Sequence, residues 1–260
     1  MQKLPKGLLL SFLPVTLASG AAMAAEDWVV TPTGATHPIV DPTKLWYATW
    51  HELLPDLAVI GIVFGLAALY LFVRYRAKSP GQVGEPVKLS AAAAWAWILI
   101  PSAIFLADDL LFFSKGWTLW NVWRVVPQDA VEVKVTGHQW YFDFDYGNGV
   151  TDQDLVVEVG KPVVLRLASD DVIHSFGLTD YKVKEDLVPG RINYLWFYPD
   201  APRETFVNCM EYCGTGHAQM HASVRAVPKA EYDEWLGKHK SAAAGALQFA
   251  SQSPDVTASK

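Results

Sequence analysis

The chain has 260 residues, 51% of them apolar, and a formal net charge of −6. This acidity weighs against nucleic acid, whose phosphates need a basic face, and suits a basic partner. Two cysteines are too few for a small secreted fold stapled by disulfides.

Residues 1–24 read as a signal peptide. Lys3 and Lys6 form a basic start, Gly7 to Gly20 an apolar stretch, and Ala22-Met23-Ala24 a small-x-small cleavage site. An external amino-terminal segment, 25–52, follows. Residues 53–73 and 91–113 are then expected to be transmembrane helices. At about 1.5 Å per residue each can cross a hydrocarbon core of about 30 Å. The loop 74–90 carries Arg74, Arg76, Lys78 and Lys88, which places it in the cytoplasm. Cleavage after residue 24 gives the same topology independently. Gly61 and Gly65 have the spacing that lets another helix approach. Asp108 and Asp109 are read as the point where the second helix emerges, followed by an interfacial belt of Trp117, Trp120 and Trp123.

Residues 114–240 are expected to form an external all-β domain. Val131, Val133 and Val135 alternate with polar residues. So do Leu155, Val157 and Val159, and then Val163, Leu165 and Leu167. Further strands are expected around Ile192 to Trp196, Phe206-Val207 and Val224 to Val227. Gly147-Asn148-Gly149, Gly160-Lys161-Pro162 and Pro189-Gly190 mark turns. Short strands at this density suggest a β-sandwich or small barrel. A closing helix is expected over 228–238, and a disordered tail over 241–260.

Within this domain soft donors crowd one segment: Cys209, Cys213, His217 and Met220. His174 stands upstream at a strand end, where a later loop could meet it. Thiolate, thioether and imidazole together favour copper. Cys-x-x-x-Cys alone would suit a disulfide, and two Cys with two His would suit structural zinc. Met220 discriminates, because zinc has little use for a thioether. With Met220 and a main-chain carbonyl there are donors enough for two metals bridged by two thiolates.

The segment Cys209-Met210-Glu211-Tyr212-Cys213-x-x-x-His217-x-x-Met220 resembles the CuA signature of subunit II of haem–copper oxidases. Gly137-His138-Gln139-Trp140-Tyr141-Phe142 is similar to that family's aromatic segment. Asp170-Asp171-Val172-Ile173-His174-Ser175-Phe176 and Pro189-Gly190-Arg191 match further landmarks. The resemblance covers roughly 45–235 and is far more specific than a lone short motif. It implies a cupredoxin-like, Greek-key β-barrel external domain on a two-helix transmembrane hairpin. It implies two copper ions bridged by Cys209 and Cys213. His174 and His217 would be terminal ligands, and Met220 and the Glu211 carbonyl weak ones. It directs the Glu211 side chain to a magnesium site shared with the catalytic subunit. It makes Trp140 the residue where electrons enter. Asp143, Asp145, Asp170, Asp171 and Asp180 could form an acidic patch for a basic cytochrome c, with Asp145 and Asp171 its best-matched members. The sequence departs from the family at Phe142, where Trp is frequent. It also lacks a carboxylate just before Trp97, the nearest inner-side acid being Glu85.

The function implied is that of the non-catalytic electron-transfer subunit of a cytochrome c oxidase. It would accept electrons from cytochrome c and pass them to haem in a catalytic membrane subunit that reduces oxygen. The expected location is the bacterial inner membrane, with the carboxy-terminal domain on the periplasmic face. Reduced thiols in an oxidising compartment imply copper chaperones as further partners. The same module in a CuA-type nitric oxide reductase is the alternative, and a copper-carrying assembly factor a more distant one. The two spans weigh against the soluble nitrous oxide reductases, and the intact ligand set against a quinol oxidase.

Overall fold

The computed structural model describes residues 29–35, 37–84 and 88–252. The expected signal peptide and Glu85 lie outside them. The described chain divides into two compact units, residues 47–116 and residues 25–46 with 117 onward.

Two long helices dominate the first unit: α1, Pro42–Tyr75, and α2, Ala91–Arg124, each of 34 residues. Both are long and apolar enough to cross a membrane. Both outrun the stretches expected from hydropathy, because a helix does not end where its apolar run ends. Trp117, Trp120 and Trp123 therefore ride on α2 itself rather than on a segment after it. Near the outer ends, Lys115 of α2 forms an ion pair with Glu52 of α1.

The first turn of α1 belongs to the second unit. Pro42 fits the first helical position, where no N–H is needed. Asp41 caps the turn, its carboxylate accepting hydrogen bonds from the backbone N–H of Thr43 (2.9 Å) and Lys44 (3.4 Å). Asp41 is 1% exposed, and burial pushes its pKa from 3.8 up to about 6 against those hydrogen bonds. The folded chain therefore holds this proton more tightly than the unfolded chain. The stability tied to it is complete below about pH 4 and is lost as pH rises through about 6. The loss amounts to about 3 kcal/mol at neutral pH. Asp41→Asn keeps a capping side chain without the buried charge. Urea unfolding of the full chain in detergent should find the variant more stable than wild type at pH 7, with the difference vanishing near pH 4. A variant less stable at pH 7 would refute this account.

The second unit is built on two five-stranded sheets. After the short pair β1 (Val29–Val30) and β2 (Ile39–Val40), the strands are β3 (Val131–His138), β4 (Tyr141–Asp145), β5 (Thr151–Asp152) and β6 (Leu155–Glu158). They continue with β7 (Val163–Ser169), β8 (His174–Leu178), β9 (Val183–Leu187), β10 (Asn193–Phe197), β11 (Arg203–Cys209) and β12 (His221–Val227). One sheet runs β10-β7-β3-β4-β5 and the other β6-β12-β11-β8-β9. β3–β7 and β12–β6 are parallel, and the remaining pairs within these sheets are antiparallel.

Alternation explains the inner faces. Val133 and Val135 of β3 point inward while Glu132 and Lys134 point out. Phe142, Phe144, Leu165 and Leu167 from the first sheet meet Leu155, Phe176, Leu178, Val207 and Val224 from the second. Phe176 stands edge-on to Phe142 at 5.6 Å and Phe144 at 6.2 Å. This is the expected cupredoxin-like domain.

Several features differ from the sequence expectation, among them β4 and the short strands β1, β2 and β5, none of which was expected. His174 opens β8 instead of closing a strand, and all five residues of β8 are buried. β9, Val-Lys-Glu-Asp-Leu, was not anticipated, because an edge strand tolerates adjacent charges. The closing helix α3 runs Lys229–Gln252, so 241–252, expected as tail, is helical. Its run of alanines is a good helix former. Tyr232, Trp235 and His239 lie on one side of α3, where Trp235 meets Tyr146 at 4.8 Å and His239 Nε2 meets Asp152 at 3.3 Å.

Candidate metal centre

The loop joining β11 to β12 is fixed at both ends. Cys209, the last residue of β11, donates its N–H to the carbonyl of Met220 (3.0 Å), which precedes β12. Met210 donates its N–H to the carbonyl of Ser175 on β8 (3.0 Å). Cys209 itself pairs with Phe176 across β11–β8. This register brings His174, two residues before Phe176, up to the loop.

The two sulfurs lie 3.7 Å apart, unbonded and buried. Cys209 Sγ is 3.9 Å from His174 Nδ1 and 3.2 Å from the Glu211 carbonyl oxygen. Cys213 Sγ is 3.6 Å from His217 Nδ1 and 3.8 Å from Met220 Sδ. Each thiol thus has its own imidazole and its own weaker donor. The donor atoms of His174, Cys209 and Cys213 lie within 4.8 Å of one another. His174 is fully buried and Met220 is 2% exposed, whereas His217 is half-buried.

Protonation in this pocket is set by its neighbours. Burial, followed by the adjacent Cys209 thiol, pushes Cys213 up to about 11. Cys213 is therefore a thiol at neutral pH, and a bound cation would be needed to draw off its proton. Burial also acts to raise Asp171. It is outweighed by hydrogen bonds from the His174 ring and the N–H groups of Val172 and Gln139, which hold Asp171 at about 2. His174 Nε2 lies 2.7 Å from Asp171 Oδ1. With Nε2–H donating to this carboxylate, Nδ1 turns its lone pair toward Cys209.

Sequence reasoning assigned Asp171 only to partner docking and did not single out Gln139. Gln139 donates its backbone N–H to Asp171 Oδ2 (2.6 Å) and its side-chain amide to the Cys213 carbonyl (2.7 Å). It ties the two protein pieces of the cluster together. The only sequence signal was its place beside Trp140.

Trp140 is 39% exposed, and its indole N–H donates to the same Cys213 carbonyl at 3.3 Å. Its ring lies against Gly214 and Gly216. A Cβ on Gly216 would come within 2.6 Å of Trp140 Cγ, so no larger residue fits beneath the indole. Asp145 is not drawn into the cluster. It accepts the N–H of Gly147 (2.7 Å) and faces Lys134 (3.9 Å), closing the turn after β4. Glu211 places its carbonyl at the cluster and leaves its side chain exposed.

Residues 148–227 match the family model described as cytochrome c oxidase subunit II, periplasmic domain. The chain is 30% identical over 220 residues to the alternative cytochrome c oxidase subunit 2 of Bradyrhizobium diazoefficiens, covering 70% of this chain and 76% of that one. The chain belongs to the cytochrome c oxidase subunit 2 family. It is 32% identical over 191 residues to the subunit 2 of Alkalihalophilus pseudofirmus, covering 69% of this chain but only 54% of that longer relative. Among solved structures, the periplasmic domain of subunit II from Bradyrhizobium japonicum is 32% identical, with 45% of this chain and 98% of that one covered and a TM-score of 0.43. The matched periplasmic domain and the two long apolar helices describe a membrane-anchored subunit with an external domain.

Proposed function

We propose that this chain is the electron-accepting subunit of a terminal respiratory oxidase. It takes electrons from cytochrome c at a dinuclear copper centre and hands them to haem in the catalytic subunit, where oxygen is reduced. The observation that carries this reading is the doubling of the donor set. His174 and the Glu211 carbonyl stand beside Cys209, and His217 and Met220 stand beside Cys213. A single tetrahedral zinc would use two Cys and two His and leave Met220 and the Glu211 carbonyl without a role. Soft sulfur donors with imidazole suit copper.

Two bridging thiolates would let one electron be shared over two copper ions. The protein's own task is to keep the donors still. The β11–β12 clasp fixes the loop, Asp171 fixes the His174 ring, and Gln139 joins the two pieces. Trp140 offers an exposed ring in contact with the Cys213 main chain, which suits it to receive electrons from a docked donor. Asp171 and Asp145 would add acidic charge for a basic cytochrome c, speeding association at low salt. The reading assigns the exposed Glu211 carboxylate to a magnesium ion shared with the catalytic subunit. Arg74, Arg76, Lys78 and Lys88 between the helices support a cytoplasmic loop, with the β domain on the periplasmic face of a bacterial inner membrane.

The purified chain, its thiols reduced and loaded with copper, should bind two copper ions. It should turn purple and give a mixed-valence electron paramagnetic resonance signal. One zinc per chain with no such signal would overturn the reading.

A further inference from the structure

Gly216 is required by space rather than by backbone conformation. Its φ of −88° and ψ of 6° are those of an ordinary turn, which residues with side chains also adopt. Gly214, two residues earlier, has φ +122° and needs glycine for its backbone. A Cβ on Gly216 would instead lie 2.4 Å from Cδ2, 2.6 Å from Cγ and 2.7 Å from Cε3 of Trp140. These are inner atoms of the indole, not a flexible tip that could swing aside. Carbon atoms in contact settle at about 3.5–4.0 Å, so an added methyl would displace one partner by about 1 Å. The loop is the stiffer partner. Gln219 donates its N–H to the Gly216 carbonyl (3.0 Å), His217 donates to the Gly214 carbonyl (3.1 Å), and the Cys209–Met220 clasp closes the loop. The indole therefore yields, and its N–H is drawn away from the Cys213 carbonyl that accepts it at 3.3 Å.

We propose that Gly216 is a positioning residue for electron entry: its missing side chain lets the Trp140 indole rest on the loop that carries Cys213 and His217. The inference rests on the reading of this chain as an electron-accepting subunit with Trp140 as its point of entry. Electron transfer weakens steeply when a gap opens between donor and acceptor. The contact under the indole matters for that reason, whereas the exposed part of the ring is left for the donor. Gly216 touches no substrate and acts only through Trp140.

The test is Gly216→Ala, with Thr215→Ala, an exposed neighbour, as control. In the complex purified with its catalytic subunit, first-order electron transfer from bound, photoreduced cytochrome c should slow at least about tenfold in Gly216→Ala. The dissociation constant for cytochrome c, the copper content and the resonance signal should match wild type, and Thr215→Ala should match it throughout. In a Trp140→Ala background, which has no indole to displace, Gly216→Ala should add nothing to the loss. The copper-free full chain gives a second readout. With fluorotryptophan incorporated, the Trp140 fluorine resonance is identified by its absence from Trp140→Phe. Gly216→Ala should shift it and open it to solvent, and Thr215→Ala should leave it in place. An unmoved resonance would overturn the proposal. So would an equal further loss in the Trp140→Ala background, or a changed copper signal in Gly216→Ala. A wild-type chain without the two-copper signature would sink the copper reading, whereas a Gly216→Ala chain that keeps the signature and the wild-type transfer rate would sink this inference alone.

Discussion

Cys213→Ser is expected to abolish the two-copper centre while leaving the β domain folded. Cys213 lies in the loop after β11, and the sheet pairing of β11 with β8 and β12 does not involve its side chain. Serine is nearly isosteric, so the buried site keeps its volume. What is lost is the sulfur that faces Cys209 at 3.7 Å, His217 at 3.6 Å and Met220 at 3.8 Å. A hydroxyl does not ionise at neutral pH and is a hard donor, so only the Cys209 thiolate would be left to bridge and the arrangement for two soft metals would be lost. The purple colour and mixed-valence signal should disappear, and copper per chain should fall from two to one or none. Turnover of the assembled complex with cytochrome c should drop by more than about 100-fold, beyond the effect usual for removing a group that only supports a ligand. A Cys213→Ser chain that retains the mixed-valence signal would remove the bridging role from this thiol.

Asp171→Ala should weaken the centre without abolishing it, because Asp171 is not itself a donor in the cluster. Its carboxylate holds the Nε2 side of His174 at 2.7 Å, and His174 is fully buried. Alanine leaves that ring nitrogen without its partner, at a cost of about 1–3 kcal/mol, and frees the ring to rotate or change tautomer. Copper affinity should fall about 10–100-fold. The optical and resonance signatures should shift rather than vanish, because both thiols remain. Asp171→Asn separates two roles. Its amide oxygen can still accept from Nε2–H, so the signature should largely return, whereas any contribution of negative charge to cytochrome c association stays lost. Two variants with the same spectra as wild type and the same salt-dependent loss of association would show that Asp171 serves docking alone.

Much of the centre was legible because five of its six donors lie between residues 209 and 220. Their spacing is a local property, and so is the chemistry of their side chains. The β domain was legible for a similar reason, since Val131 to Val135 and Val163 to Leu167 alternate as half-buried strands do. What escaped was set by contacts between distant segments and by the fold of one short turn. The Gln139–Asp171 and Gln139–Cys213 contacts depend on how the turn after β3 meets the turn before β8 and the loop after β11, whereas Asp171–His174 is made within the turn that leads into β8. β9 was hidden because Lys184, Glu185 and Asp186 sit side by side on a sheet edge. Asp145 matched an acidic position in the motif, and the structure adds that its carboxylate also closes the turn at Gly147. The far half of α3 was missed because small residues such as Ala242 to Ala244 suggest a tail when no apolar stripe accompanies them.

The clasp between the Cys209 N–H and the Met220 carbonyl also bears on how the protein matures. A chain still unfolded already carries Cys209, Cys213, His217 and Met220 on one short tether, so it can capture a metal ion early. It cannot yet offer His174, which arrives only when β8 pairs with β11. Metal held by the tether alone stabilises the unfolded chain as well as the folded one, which weakens the drive to fold. On the copper reading, strand pairing would be the step that completes the donor set, and an ion would be held by all of it only in a chain whose sheet has closed.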